Sequence, residues 1–497
     1  MSAAERLDRL RDAAAERADG ADAEAYAAAL EEVARAEGAA SWAQLAADAR
    51  VSDMEPASLP EALKYALFLG RPEMVDALLA RDPALGRADF GLTVALGLRA
   101  DVERVLKDDP KAATRIVGIR SPILHLAFSR HAQARPDVLP DMLAIAERLV
   151  AAGADVNDSY PFQPGSDERL PALYGALCHA DNLPLARWLL DQGATPDDGE
   201  SLYHSTELPH LDGLRLLLRH KARPEGTNAL LRALDFDRIE AVELLLEHGA
   251  DPDAGRGGDI PDFPALHQAA RRGRGAEFAT LLVSNGADPT RLHDGQSAAT
   301  MARIHGNRRF ARALAGLAPP PEAGSAAARL VAVAEGNGAA RADLTDLSRG
   351  GPAEGLVTRL AALPDARDLM GRYLDAGLAH DETDDMGLSP VQIAGWNGLA
   401  GHVADLLDRG PGLMRVNLFG GGLVDTILHG AENCPDAEGR DHAACLSVAL
   451  GAGAPVYEDE LAAPIPEHLR RVIRTALDRN PDQLRPKAER PEPGSSG

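Results

Sequence analysis

Aromatic residues are scarce in this chain, making up 4 % of its 497 residues. The apolar share is nonetheless ordinary at 45 %, because alanine supplies much of it. That balance suits closely stacked helices better than a sheet sandwich. Cysteine is scarcer still. Cys178, Cys434 and Cys445 are an odd and sparse set, which argues against a disulfide framework. No uninterrupted apolar run of about 18 residues occurs, so no membrane span is expected. The opening stretch, MSAAERLDRLRDAAAERADG, alternates charge with alanine and leucine and forms no secretory apolar core. Positive charge is also short, with 52 Lys and Arg against 76 Asp and Glu and a net charge of -24. Nucleic acids and anionic lipids are bound mainly through basic patches, so neither is an expected partner. The address expected from these shortages is cytoplasmic. Lysine is rare beside arginine and alanine, a bias that resembles that of GC-rich bacterial genomes.

What is present is repetition. A leucine-like pair, a few polar or small residues and then Gly-Ala-Asp or a relative recur as RLVAAGADVN, WLLDQGATPD, LLLRHKARPE, LLLEHGADPD and LLVSNGADPT. The glycine or its substitute falls at 153, 193, 221, 249 and 286. Self-similarity at such a period marks a stacked array, in which each unit buries its apolar face against its neighbours. That escapes the size limit of a single globular core, which a chain this long would otherwise exceed. The Leu-Leu pair ends an amphipathic helix, glycine takes the left-handed position after it, and Ala-Asp-Pro begins a turn. Ahead of each such helix lies a shorter one, read in SPILHLAFSR, LPALYGALCH, TNALLRALDF, FPALHQAARRG and SPVQIAGWNG.

These shorter segments resemble the T-P-L-H-x-A-A-x-x-G stretch of ankyrin repeats. The match is fullest over 226–290, where both halves recur at the right offset, and in degenerate form it covers 55–480. The chain is similar to the divergent bacterial ankyrin-repeat proteins. The expected fold is therefore all-α, an ankyrin-repeat solenoid of about twelve helix-turn-helix units with an N-terminal helical cap. Residues 1–53 are the cap, with Trp42 as its anchor, and ALEEVARAEGAASWAQL resembles a short module found in front of bacterial ankyrin arrays. A first lobe spans 54–318, APPPEAGS supplies a linker at 319–325, a second lobe spans 326–478, and the polar, proline-rich 479–497 is expected to be disordered.

Catalytic constellations are not legible. At the position of the ankyrin histidine stand His125, Tyr174, Tyr203, Leu231, His267, Thr300 and Gln392. The resemblance implies that this side chain ties adjacent repeats together, and Leu231 shows that no chemistry is required there. ESLYHSTE is dense in functional groups, so Glu200, Tyr203, His204 and Glu207 are candidate ligand contacts. Ser205 beside His204 does not make a nucleophile pair, because adjacent helical residues point about 100° apart. His429, Cys434, His442 and Cys445 offer zinc-compatible side chains at a spacing that matches no zinc module. The acidic turns HDETDD and DPD lack the EF-hand pattern. FGGG at 419–422 lacks the Lys-Ser/Thr of a phosphate loop and reads as a tight approach to a neighbouring turn. Neither metal nor cofactor is expected, and no enzyme.

The expected function is recognition of a protein partner by a monomer, as a scaffold or adaptor. In ankyrin repeats the positions four and five after the histidine line the concave face. Here they carry Arg130, His179, Asp235, Phe236, Arg271, Arg272, His305, Trp396 and Asn397 among others. Two of these are among the few aromatics, and interface hot spots favour aromatics and arginine. The alternatives are a small-molecule or peptide sensor using residues 200–207, and a host-directed effector.

Overall fold

The computed structural model describes residues 3–18, 23–163, 165–254, 263–336, 343–347, 351–410, 412–434, 439–462 and 465–493. The chain divides into two compact units, residues 1–262 and 263–497. The division falls elsewhere than at the proline-rich 319–325.

The first unit opens with helices Ala3–Ala18, Ala23–Ala36 and Trp42–Ser52. Ser41 caps the third, its hydroxyl accepting from Gln44 N at 3.1 Å. Half-buried Trp42 packs on two small clusters, Leu7 with Ala46 and Ala49, and Ala14 with Ala29 and Val33. Thereafter helices come in pairs: Leu59–Leu69 with Pro72–Arg81, Phe90–Ala95 with Arg99–Asp108, Pro122–Ala127 with Leu139–Ala151. The pattern continues through Ser201–Ser205 with Asp212–Arg219 and Ala229–Asp235 with Ile239–Glu247.

The repeated phrase explains each pair. In Ile239–Glu247 the residues Ala241, Val242, Leu245 and Leu246 are buried, the i, i+1, i+4, i+5 stripe of a helix with one covered face. Gly249 then takes φ +91°, and Ala250 N–H returns to Leu245 O at 3.0 Å. The aspartate that follows has a job of its own: Asp251 Oδ1 accepts from Asp253 N at 2.8 Å and folds the turn. The same bond recurs from Asp155 to Asn157 N and from Asp288 to Thr290 N. Lys221, where the pattern lacks its glycine, still adopts φ +66°.

The second unit pairs Ala265–Arg271 with Ala276–Ser284, Ala298–Ile304 with Arg308–Ala313 and Leu356–Ala361 with Arg367–Asp375. Pro390–Trp396 with Ala400–Leu407 and Leu423–Asn433 with His442–Gly451 follow, and Glu467–Arg479 ends the stack. Ala326–Glu335 packs against both Ala298–Ile304 and Arg367–Asp375. Residues on either side of 319–325 are tied by Arg303–Glu335 at 2.7 Å, and Tyr373 Oη donates to Ile304 O at 2.7 Å and Leu330 O at 3.2 Å.

Strands are few: antiparallel Ser159–Pro161 with Arg169–Pro171, antiparallel Leu292–His293 with Gln296–Ser297, and parallel Val456–Tyr457 with Leu484–Arg485. The last pair lies partly in the segment expected to be a disordered tail, of which 494–497 fall outside the described residues. Gln483 donates to Leu450 O and Ala454 O, and Arg490 pairs with Asp459 at 2.9 Å and Glu460 at 3.0 Å. Composition misses this because a few well-aimed side chains hold an otherwise polar segment. Among the described residues, no helix is long and apolar enough to cross a membrane.

Candidate functional site

Two residues at the ankyrin-histidine position, His267 and Gln392, tie one repeat to the next by hydrogen bonds. His267 Nε2 bonds Gln296 O at 2.9 Å, and Gln392 Nε2 donates to Gly421 O at 3.2 Å, each in the following repeat. Burial pulls the His267 pKa down to about 4, although the bond to Gln296 opposes it, so the ring is neutral and structural. His125 Nε2 bonds Val117 O at 2.9 Å, in the turn before its own helix. Tyr174 packs at a tilt against His204 of the next repeat, with ring centroids 4.9 Å apart.

In the first unit the candidate contact residues belong mostly to packing. Arg130 Nε donates to His179 O at 2.7 Å, and His179 Nε2 bonds Phe68 O at 2.9 Å with its ring 4.1 Å from that of Phe68. Burial and the charge of Arg130 push the His179 pKa down to about 4. Both lie beside a nest in which the Arg120 guanidinium sits 4.5, 5.0 and 4.4 Å from the rings of Phe68, Phe128 and Tyr160. The nest gathers aromatics from distant turns, and sequence spacing carries no sign of it.

Glu200, Tyr203, His204 and Glu207 do come together, and Asp235 and Phe236 join them through Arg232. His204 lies 3.2 Å from Glu200 and 3.1 Å from Glu207. Arg232 pairs with Glu207 at 2.8 Å and Asp235 at 3.4 Å, and its guanidinium covers the Tyr203 and Phe236 rings at 5.3 and 4.7 Å. Burial alone would lower the His204 pKa, but hydrogen bonds and charge from both glutamates win and raise it to about 9. These groups satisfy one another. Phe236 stays 41 % exposed, its ring shared with Arg232.

The second unit is different, because there the candidates line open cavities. Arg271 and His305 border one of about 350 Å³, together with Arg359, Phe263, Glu382 and Asp384. Burial, then repulsion from Arg271 and Arg272, lowers the Arg359 pKa to about 10. His305 is pushed well below its ordinary value by burial and by Arg359 and Arg271, so it stands there as a neutral ring. Carboxylates share the cavity with the arginines, so its charge is mixed. Exposed Arg272 borders a neighbouring cavity with His305 and Asp365.

Trp396 borders a second, apolar cavity of about 680 Å³ with Met386, Leu388, Ile393, Phe419 and His429. Asp384 lies in the walls of both cavities, so the two adjoin across the 382–388 turn. That turn is built by Asp384 Oδ1, which accepts from Met386 N at 3.0 Å and Leu388 N at 2.8 Å. The opposite rim is built by Asn417, whose Oδ1 accepts from Phe419 N at 2.9 Å and Gly421 N at 3.0 Å. Phe419 consequently points outward at 79 % exposure, beside Leu418 at 55 % and Met386 at 47 %. An apolar patch of this kind on a turn marks a contact surface more often than a stability element. Asn397 takes no part in this wall; its amide donates to Ile393 O of its own helix at 2.9 Å. Sequence reading missed Met386, Phe419, Asp425 and His429 as neighbours of Trp396. The one available signal was a phenylalanine set against three glycines in LFGGG, where a turn needs no large apolar residue.

The cysteine–histidine series is dispersed among other duties. His442 Nε2 bonds Trp396 O at 2.9 Å, His429 Nδ1 meets Asn433 at 3.1 Å, and burial pushes the Cys445 thiol up to about 12.

Residues 173–256 match the family model described as ankyrin repeats, in three copies. No curated protein matches. Among solved structures, the ankyrin repeat domain of Bcl-3, a member of the IkappaB family, is 23 % identical, with a TM-score of 0.31 over 37 % of this chain and 83 % of that one. The chain thus carries ankyrin repeats, and its fold is an all-α ankyrin solenoid.

Proposed function

We propose that the protein is a recognition scaffold that holds another protein along the groove of its second unit, rather than a catalyst. Ankyrin repeats are in general protein–protein interaction modules. The observation that carries the reading is the pair of cavities meeting at the Asp384 turn, one polar and one apolar, across successive repeats. An apolar anchor site with a polar margin is the anatomy of an interface. Both cavities are partly open to solvent, where an enzyme needs convergent groups held in a water-excluding pocket.

Two variants of the full chain test this. Trp396→Ala and the double change Arg271→Glu with Arg272→Glu should each abolish co-purification of the native partner while leaving the melting curve unaltered. Retention of the partner by both would move the docking face elsewhere, with the Phe236 surface of the first unit next in line.

A further inference from the structure

The apolar cavity contains one group that apolar packing does not explain. Asp425 projects into its wall from the helix Leu423–Asn433, one turn before His429. Its carboxylate is half-buried, and among the described residues it has neither a hydrogen-bond nor an ion-pair partner. It lies against bare backbone: a Cβ on Gly421 would come within 2.4 Å of Asp425 Oδ2. Burial raises the pKa of this carboxyl, while Arg490 and His429 pull it back. Arg490 is spent elsewhere, on Asp459, Glu460 and Gly420 O.

Resting on the recognition reading above, we propose that this cavity receives a lysine or arginine side chain of the partner protein, its methylene stem along Trp396 and Phe419 and its charged head on Asp425.

Each competing ligand class meets an obstacle in the same walls. A purely apolar side chain would strip water from the Asp425 carboxylate and leave it unmatched, which costs free energy. An acidic side chain would face both Asp425 and Asp384. A basic one gains on two counts. It supplies a partner for Asp425, and it buries its alkyl stem against the apolar wall of Trp396, Phe419, Ile393 and Leu388. The net charge of -24 adds long-range attraction for a basic segment.

The test uses the full chain and four acetylated, amidated pentapeptides, with arginine, lysine, norleucine or glutamate between glycine pairs. The readout is the Trp396 indole NMR signal, assigned by its loss in Trp396→Phe. Arginine and lysine peptides should shift this signal saturably, and norleucine and glutamate should bind at least about tenfold more weakly. Asp425→Asn, which keeps the side-chain shape, should erase that preference without moving the melting temperature. Equal binding of the norleucine peptide, an unaltered preference in Asp425→Asn, or no shift with any peptide would each overturn the proposal. If Trp396→Ala still loses the native partner in those cases, the recognition reading stands and only the basic anchor falls.

Discussion

At the scale of single residues, charge in this protein is mostly matched locally, and His204 shows what that implies. Its folded pKa of about 9 lies above the ordinary 6.5 because Glu200 and Glu207 outweigh burial. A raised pKa stabilises fully below the unfolded value and is lost as pH rises through the folded one. The window is therefore about pH 6.5 to 9. Replacing His204 by Gln should destabilise the first unit by about 2 kcal/mol more at pH 6 than at pH 10, allowing for partial exposure of the ring. Denaturant titration at the two pH values measures the difference, and a pH-independent penalty would show that the ring serves packing only. Asp425 is the contrasting case, a carboxylate in an apolar wall with no hydrogen-bond or ion-pair partner among the described residues.

Elements matter here through close approach. Gly430 lies inside the helix Leu423–Asn433, where a Cβ would come 2.3 Å from Trp396 O and 2.7 Å from Trp396 Cα. Both are backbone atoms, which cannot swing aside. Gly430→Ala should cost about 2–3 kcal/mol and shift the Trp396 fluorescence, since the two helices must separate. Glycine within a helix looks like a weakness to a propensity argument; here it lets one repeat set the position of an indole on the next. A similar economy holds the ends of the 319–325 segment. Tyr373 is fully buried and its hydroxyl serves Ile304 O and Leu330 O. Tyr373→Phe should therefore lose about 1–2 kcal/mol of second-unit stability with little change in fold, readable by urea denaturation monitored with circular dichroism.

At the scale of the whole molecule, the last helix pair of the second unit is closed by the chain's own C-terminal segment. Glu460 is buried, and burial raises its pKa to about 7 against the pull of Tyr457 N–H and Arg490. A carboxyl raised in this way favours folding below its unfolded value of 4.5 and loses that contribution as pH climbs toward 7. Arg490 opposes the loss. Arg490→Ala should therefore lower stability by about 2 kcal/mol more at pH 8 than at pH 4. Equal destabilisation at both values would assign the role of Arg490 to Asp459, Gly420 O and the Tyr457 ring, 4.6 Å away, and not to Glu460. The same segment shapes the groove rim, because Arg490 also donates to Gly420 O at 3.2 Å, beside Phe419.

The sequence by itself determined the repeating unit. Leu-Leu stripes, left-handed glycines and Asp-led turns act through bonds a few residues long, so each copy of the phrase carries its own instructions, as Gly249 and Asp251 illustrate. It also determined which side chains tie neighbouring repeats, because His267 and Gln392 stand at a fixed offset in a recognisable frame. Tertiary structure alone decided which side chains converge. Trp396, Phe419 and Asp425 share a cavity although they belong to two different repeats, and Arg120 is sheathed by rings from three separate segments. The C-terminal segment is ordered by Gln483 and Arg490 despite a composition that favours disorder. The physical reason is range. Helix starts, stops and turns are set by neighbours along the chain, whereas a cavity wall is set by the spacing and rotation between stacked helices, fixed by close contacts such as Gly430 on Trp396.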